Sequence, residues 1–351
     1  MSIRNQSGVT LVELLVGMVI GLAVVGVVAS VYVNSGRNFA QDQQIGRMQE
    51  NARFAMRAIA RDIEMIGFLG AIVDSTSINA SVRDCTQSPD NEDAVKCGGF
   101  FANSELLMDT NDDCGPGTDS SPPGNWAYHV RNYVEVVNES SESDAKDTFT
   151  CIDEDHFQGA TDILVIRRVA GRPLDAARAD ANDDGDVFLR TNGDTGMLLN
   201  YDSTDSSVPS GLRDWRYLVQ LYYIQDHFMD GDQIPTLYRK TLNGATIDTE
   251  TGGVAQGIEY VHVIFGVDTN SDGVPDYYKS VPEAAELRMA VTAKIYVLAR
   301  SIERGVLHTN DKTYQLGDVS KDFSGSPDRF YRRVFSTTVQ IRNMTNRNRL
   351  L

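Results

Sequence analysis

From position 9 to position 33 the chain reads VTLVELLVGMVIGLAVVGVVASVYV, apolar, aromatic or small at every residue except Glu13. That is about 25 positions, and about 20 in helical conformation cross the hydrocarbon of a bilayer. Beyond Phe39 the pattern changes rather than ends. Met48, Ala52, Ala55, Ile59, Ile63 and Ile66 recur at helical spacing between Arg47, Glu50, Arg53, Arg57, Arg61 and Asp62. No proline occurs before Pro89. The pattern therefore predicts one helix from about Val9 to Ile66, roughly 85 Å long at 1.5 Å per residue and stopped by Gly67. Its first half is apolar all round, and its second half is amphipathic and must pack on something.

From Gly70 to Gln158 the periodicity disappears. Turn residues, four cysteines, Pro122-Pro123 and acid clusters such as Glu142 to Asp147 fill the segment, with one short apolar piece, Tyr133 to Val137, that reads as a strand. Trp126, Tyr128 and the cysteines favour an ordered insertion over a disordered loop. After it, runs rich in β-branched and aromatic residues follow one another: Thr161 to Val169, Trp215 to Ile224, Pro235 to Thr241, Gly257 to Val267, Arg288 to Arg300 and Phe330 to Arg342. In the fifth, Val291, Ala293, Ile295, Val297 and Ala299 fall on one face. Without amphipathic helices between them, such strands predict an antiparallel sheet that shares one core with the long helix, an α+β architecture. The expected organisation is residues 1–8 as a leader, 9–67 as the helix with 9–33 in the membrane, 68–158 as a loop-rich insertion, and 159–351 as a β-rich globular domain.

Charge narrows the partners. The 351 residues carry a net charge of -17, which argues against nucleic acid, whose binding needs a basic face. The charge is uneven: Arg288 to Leu351 has 12 Lys and Arg against 5 Asp and Glu, and the first 67 residues have 6 against 5, so the middle is strongly acidic. Such a middle suits either bound cations and charge-complementary neighbours or a solvated acidic surface.

Glu13 is the feature that an ordinary anchor does not explain. A carboxylate inside an apolar span is expensive and calls for a partner, although near a helix start it also gains from the helix dipole. The preceding octet, MSIRNQSG, is short and polar, carries Arg4 and ends in Gly8. A secretory signal places its cleavage site after the apolar region, whereas here the small residue precedes it. Gly8, Val9, Thr10, Leu11, Val12, Glu13, Leu14 and Leu15 resemble the processing motif of type IV prepilins, with Val9 where Phe is usual. The resemblance implies cleavage after Gly8 by prepilin peptidase, methylation of the Val9 amine, and Glu13 as the carboxylate that attracts the amine of a neighbouring subunit.

The other end resembles the PilW family of minor type IV pilins through Val254 to Tyr278, Met289 to Ser301 and Tyr331 to Asn343, in that order. The fold implied is pilin-like. The role implied is that of a non-enzymatic subunit of the pilus initiation or tip complex, supporting biogenesis and adhesion or twitching motility. Its partners would be other minor pilins, the major pilin, prepilin peptidase, the inner-membrane assembly platform and a tip adhesin. It would begin as a single-pass inner-membrane protein with a cytoplasmic amino terminus and a periplasmic globular part, then move to the surface fibre. A tip adhesin or adhesin-docking subunit, and a type II secretion minor pseudopilin, are the rival readings.

An outward location bears on Cys85, Cys97, Cys114 and Cys151, which allow three pairings. A zinc site is the alternative, but no C-x-x-C pair or nearby histidine ladder supports it. Calcium is suggested by Asp268, Asn270, Asp272 and Asp276, which stand at loop positions 1, 3, 5 and 9 with Gly273 at 6. Lys279 stands where the bidentate Glu belongs. Asp180, Asn182 and Asp184 form a poorer copy, and both stretches also read as acidic turns between strands. The histidines His129, His156, His227, His262 and His308 are scattered and no catalytic motif is present. His262 reads as a sheet residue, and His156 beside Asp153, Glu154 and Asp155 as the single place for proton transfer.

Overall fold

The structure, a computed structural model, describes residues 10–72, 78–79, 114, 126–127, 130, 132–139, 145, 148–152, 156–174, 186–200, 211–229, 231–243, 246–249, 253–306 and 308–345. The chain divides into two compact units, Met1–Arg47 and Met48–Leu351. Helix α1 runs from Leu11 to Glu64. In the first unit none of its described side chains is buried, and Leu11, Leu22 and Tyr32 are each more than 70% exposed. The hydroxyl of Ser30 donates to the Val27 carbonyl at 2.8 Å, so this polar group is satisfied inside the helix, as an apolar solvent requires.

In the second unit the same helix has a dry face. Met48, Ala52, Ala55, Ile59 and Ile63 are buried, and so is Ile66 just after it. The last turn tightens: the amides of Met65 and Ile66 bond to the carbonyls of Asp62 and Ile63 at 3.1 Å each. Gly67 then takes φ +74°, the left-handed position that ends a helix and that glycine adopts without a Cβ clash.

The strands are β1 (Ile78–Asn79), β2 (Val134–Glu139), β3 (Thr161–Val169), β4 (Val187–Thr191), β5 (Gly196–Asn200), β6 (Arg213–Gln225), β7 (Thr236–Asn243), β8 (Thr246–Thr249), β9 (Ala255–Gln256), β10 (Ile258–Val267), β11 (Tyr277–Lys279), β12 (Ala290–Arg300), β13 (Thr313–Leu316), β14 (Val319–Asp322) and β15 (Arg332–Gln340), with a one-turn helix α2 (Ala284–Leu287) before β12. The six long strand predictions hold, β3 to the residue. The expectation of one sheet does not. The strands form a nine-stranded sheet around β6, a four-stranded sheet in the order β11-β10-β12-β15, and the β13-β14 ribbon. Pairing is antiparallel except between β1 and β5.

Gly257 explains the division. β9 pairs with β7 in the larger sheet, and one residue later β10 pairs with β12 in the smaller one. Gly257 makes that change of partner at φ +71°, where a Cβ would lie 2.7 Å from the Arg300 carbonyl oxygen. A residue with a side chain is strained there and also meets backbone. The sequence pattern begins this strand at Gly257 and does not predict β9 before it.

Part of the segment expected to be an insertion belongs to the core. β2 lies inside residues 68–158 and pairs with β3 through six residues. Trp126, Ala127, Val130, Phe149 and Ile152 are all buried, and Cys114 and Cys151 are joined in a disulfide with Cα atoms 4.7 Å apart. Cys85 and Cys97 lie outside the described residues. β3 is buried along its whole length, and its neighbouring arginines show why. Arg168 reaches Asp62 of α1 at 2.6 Å. Arg167, which points to the other face because strand side chains alternate, pairs with Glu135 at 2.8 Å and lies over the Trp126 ring, 4.4 Å from its centroid. Helix covers one face of the sheet, and the disulfide-tied segment covers the other.

Candidate functional site

Two carboxylates stand at the two ends of α1, Glu13 at its start and Asp62 in its last turn. Thr10 is the residue before the first helical position, and Glu13 is the third residue inside. The Thr10 amide and hydroxyl both donate to Oε2 of Glu13 at 3.0 Å, and the Glu13 amide donates to the Thr10 hydroxyl at 3.3 Å. This is a reciprocal capping box, T-x-x-E, which satisfies amides that the first turn leaves unpaired. The motif was readable in the sequence, yet Glu13 there suggested an intermolecular partner or the helix dipole. The structure adds an intramolecular one: the carboxylate is held by its own helix start. Gly8 and Val9, the expected processing residues, lie outside the described residues.

At the other end, Asp62 corrects the expected helix face. It was grouped with the polar positions, but it is 2% exposed. Its spacing from Ile59 and Ile66 puts it on the buried side, and the signal was the i, i+3 relation. Arg168 Nη2 donates to its Oδ1 at 2.6 Å, the Tyr222 hydroxyl donates to its Oδ2, and the Gln220 amide faces it from the same strand. Arg239, opposite Tyr222 on β7, reaches that hydroxyl at 3.3 Å. Burial first, and then the adjacent Asp62 carboxylate, push the Tyr222 phenol far above its ordinary range, so it stays a donor. Asn343, beyond β15, donates to the carbonyls of Glu64 and Ile66 at 3.3 Å. Both ends of the β-rich region thus hold the end of the helix.

A second buried charge cluster joins the two sheets. His262 of β10 places Nδ1 3.0 Å from Asp162 of β3 and Nε2 2.7 Å from Asp318 of the β13-β14 turn. With both ring nitrogens facing carboxylates, the imidazolium form, a donor at each nitrogen, fits best. Burial pushes its pKa down, but the hydrogen bonds and charges of Asp162 and Asp318 more than offset this, and the net direction is up. Next to it the Thr161 hydroxyl and the Val261 backbone exchange hydrogen bonds at 3.1 and 2.9 Å. His262 is a sheet residue, as expected, and also a tie between sheets.

The calcium-like stretch is the turn joining β10 to β11. Asp268 Oδ2 accepts from the Gly273 amide at 2.7 Å, Asn270 Oδ1 from Asp272 at 2.9 Å, and Asp272 Oδ1 from Val274 at 2.7 Å. Asp276 accepts from the amide and hydroxyl of Thr269 at 2.7 and 2.5 Å. These oxygens act as turn caps. Asp268 keeps its Oδ1 buried without a hydrogen-bond partner. Lys279 is turned to Glu286, 2.7 Å away. Asp180, Asn182 and Asp184 lie outside the described residues. Among the described residues, three metal-ligating His, Cys, Asp or Glu side chains converge at one place, His156, Asp226 and His227. Sequence reading paired His156 with residues 153–155, which also lie outside the described residues, because its proximity to Asp226 exists only in the folded chain.

Comparison with known proteins agrees with both ends of the chain. Residues 3–29 match the prokaryotic N-terminal methylation motif, and residues 221–343 match the family described as type IV pilus-assembly protein W. A type IV-like pilin from Thermus thermophilus superposes with a TM-score of 0.26 at 11% identity, over 54% of this chain and 82% of that one, which is too low to bear on the fold. No curated protein matches the chain. The second match runs from the middle of β6 to the tail that grips the end of α1, and the first covers the capped start of the same helix. These two matches, over 123 and 27 of the 351 residues, support a minor type IV pilin of the PilW family in pilus assembly.

Proposed function

We propose that this minor pilin is made as a prepilin, cut after Gly8 by prepilin peptidase, methylated at Val9, and drawn from the inner membrane into the initiating or tip complex of the pilus. The observation that carries the proposal is Glu13, bonded to Thr10 in the first turn of a helix whose first half is otherwise apolar and exposed. Such a segment needs an apolar solvent, first lipid and then the helices of other pilins. In either solvent a carboxylate is tolerated only when paired. Thr10 pairs it while the subunit waits. The amine of a neighbouring subunit, a full charge rather than a neutral donor, replaces that bond on assembly. The role is structural, and the periplasmic part presents the two-sheet domain to other minor pilins.

The test is incorporation. Full-length chains carrying Glu13→Gln or Glu13→Val are expressed in cells with a working pilus machine, and the sheared fibre fraction is compared with the membrane fraction. Incorporation should fall at least about tenfold for both, since a desolvated charge pair left half-made costs more than the 1.4 kcal/mol of one decade. Thr10→Ala should still incorporate. Equal incorporation of wild type and both Glu13 variants would defeat the reading.

A further inference from the structure

The backbone places His156 beside the end of β6. Phe157 and Gln225 form an isolated antiparallel bridge, flanked by hydrogen bonds from Gln158 N to Ile224 O and from Asp226 N to His156 O, both 2.9 Å. Phe157 is buried, so the short bridge is anchored and its neighbours are held at the surface. His227 follows Asp226 and leads into a turn fixed by Asp232, whose carboxylate accepts from the amides of Phe228, Met229 and Ile234 at 2.9 to 3.0 Å. The result is that two imidazoles from distant parts of the chain lie with ring centroids 3.8 Å apart. Oδ1 of Asp226 is 3.0 Å from Nδ1 of His227 and 3.8 Å from Nδ1 of His156.

We propose that His156, Asp226 and His227 form a binding site for a divalent first-row transition ion of the zinc class, with one coordination position open to solvent. One ligand atom from each residue lies within 4.8 Å of the other two. Tetrahedral zinc with bonds of about 2.0–2.1 Å separates its ligand atoms by about 3.3 Å, so small side-chain rotations close the cluster on an ion. The two imidazoles are borderline ligands that select zinc, copper or nickel over calcium, and the carboxylate completes such a set. His156 and Asp226 are 38% and 52% exposed and His227 is 13% exposed. The ion can therefore enter from solvent, while the bridge keeps two ligands in register. The site lies on the β-rich unit and does not depend on processing of the amino terminus.

The experiment uses the untagged full-length chain in detergent, stripped with a chelator and titrated with zinc chloride by calorimetry, with cobalt(II) absorption as a coordination signature. One zinc per chain is expected, with a tetrahedral cobalt spectrum, and excess calcium should not displace it. His156→Gln and His227→Gln should each weaken binding by at least about tenfold with an unchanged circular dichroism spectrum. His156→Gln, at an exposed position, guards against a folding artefact. The proposal is overturned if the wild type takes up no zinc, if calcium displaces it, or if His156→Gln and His227→Gln each bind zinc as the wild type does.

Discussion

Leu22 and Ile59 stand on one uninterrupted helix, yet Leu22 is 73% exposed and Ile59 has no exposed surface. The backbone does not distinguish them, and neither does side-chain hydrophobicity. The difference is where the partner comes from. Around Ile59 the partner is encoded in the same chain, the strands that follow. Around Leu22 the described residues supply none, and under the proposed function burial there falls to lipid or to other subunits. Polar groups follow the same division. Asp62 is satisfied by Arg168, Tyr222 and Gln220 from elsewhere in the chain. Among the described residues Glu13 is bonded by Thr10, three residues away, and under the proposed function that bond is exchanged for a partner from outside.

The largest effect that would sharpen this contrast is at Asp62. Asp62→Ala leaves Arg168 as an unpaired buried charge and should cost about 3–5 kcal/mol, read as a lower denaturation midpoint of the full-length protein in detergent. Ile59→Ala should follow at about 2–5 kcal/mol, while Leu22→Ala, in the same assay, should leave the unfolding of the β-rich unit unchanged. Equal losses at Ile59 and Leu22 would break the comparison. Thr10→Ala removes half of the capping box and should cost about 1 kcal/mol of helix stability, confined to the first turns, visible as faster amide exchange there and nowhere in the β-rich unit.

The smallest effect is in pH. His262 has a raised pKa in the folded state, so its contribution is complete below about 6.5, the ordinary histidine value, and is lost as pH rises through the folded value. For Asp318, burial pushes the pKa up, but hydrogen bonds from His262 and Ser280 together with the His262 charge bring it below its ordinary value. Its contribution is therefore present above about 3.9 and fades as pH falls. The tie between the sheets should be strongest in the weakly acidic window between these limits and weaken toward alkaline pH. Thermal unfolding across that range should show the slope in the wild type and a flatter profile in His262→Gln.

What could be read from sequence followed periodicity and composition. The long helix, its amphipathic half and six strands were all legible because each repeats a pattern over many residues. Val291, Ala293, Ile295, Val297 and Ala299, assigned to one face, are all fully buried. The short strands β4, β5, β8, β11, β13 and β14 were not legible, since three to five residues carry too little pattern to separate from turns. The division into two sheets hung on Gly257 alone. The core role of Trp126 and Phe149 was hidden because a loop-rich segment shows no period even when its aromatics are buried. A deletion of residues 70–158 would therefore remove β2 together with the buried Trp126 and Phe149. Of the candidate site, Glu13 was legible, while Asp62 and the pairing of His156 with Asp226 required the fold.

The most direct test of the account is the amino terminus of the protein recovered from sheared pili, measured by intact mass and terminal sequencing in cells with and without prepilin peptidase. The account predicts a chain that begins at Val9, lacks residues 1–8 and carries one added methyl group, and that stays full-length and membrane-bound when the peptidase is absent. A chain that still begins at Met1 in both strains would contradict it and leave the exposed half of the helix as an ordinary anchor.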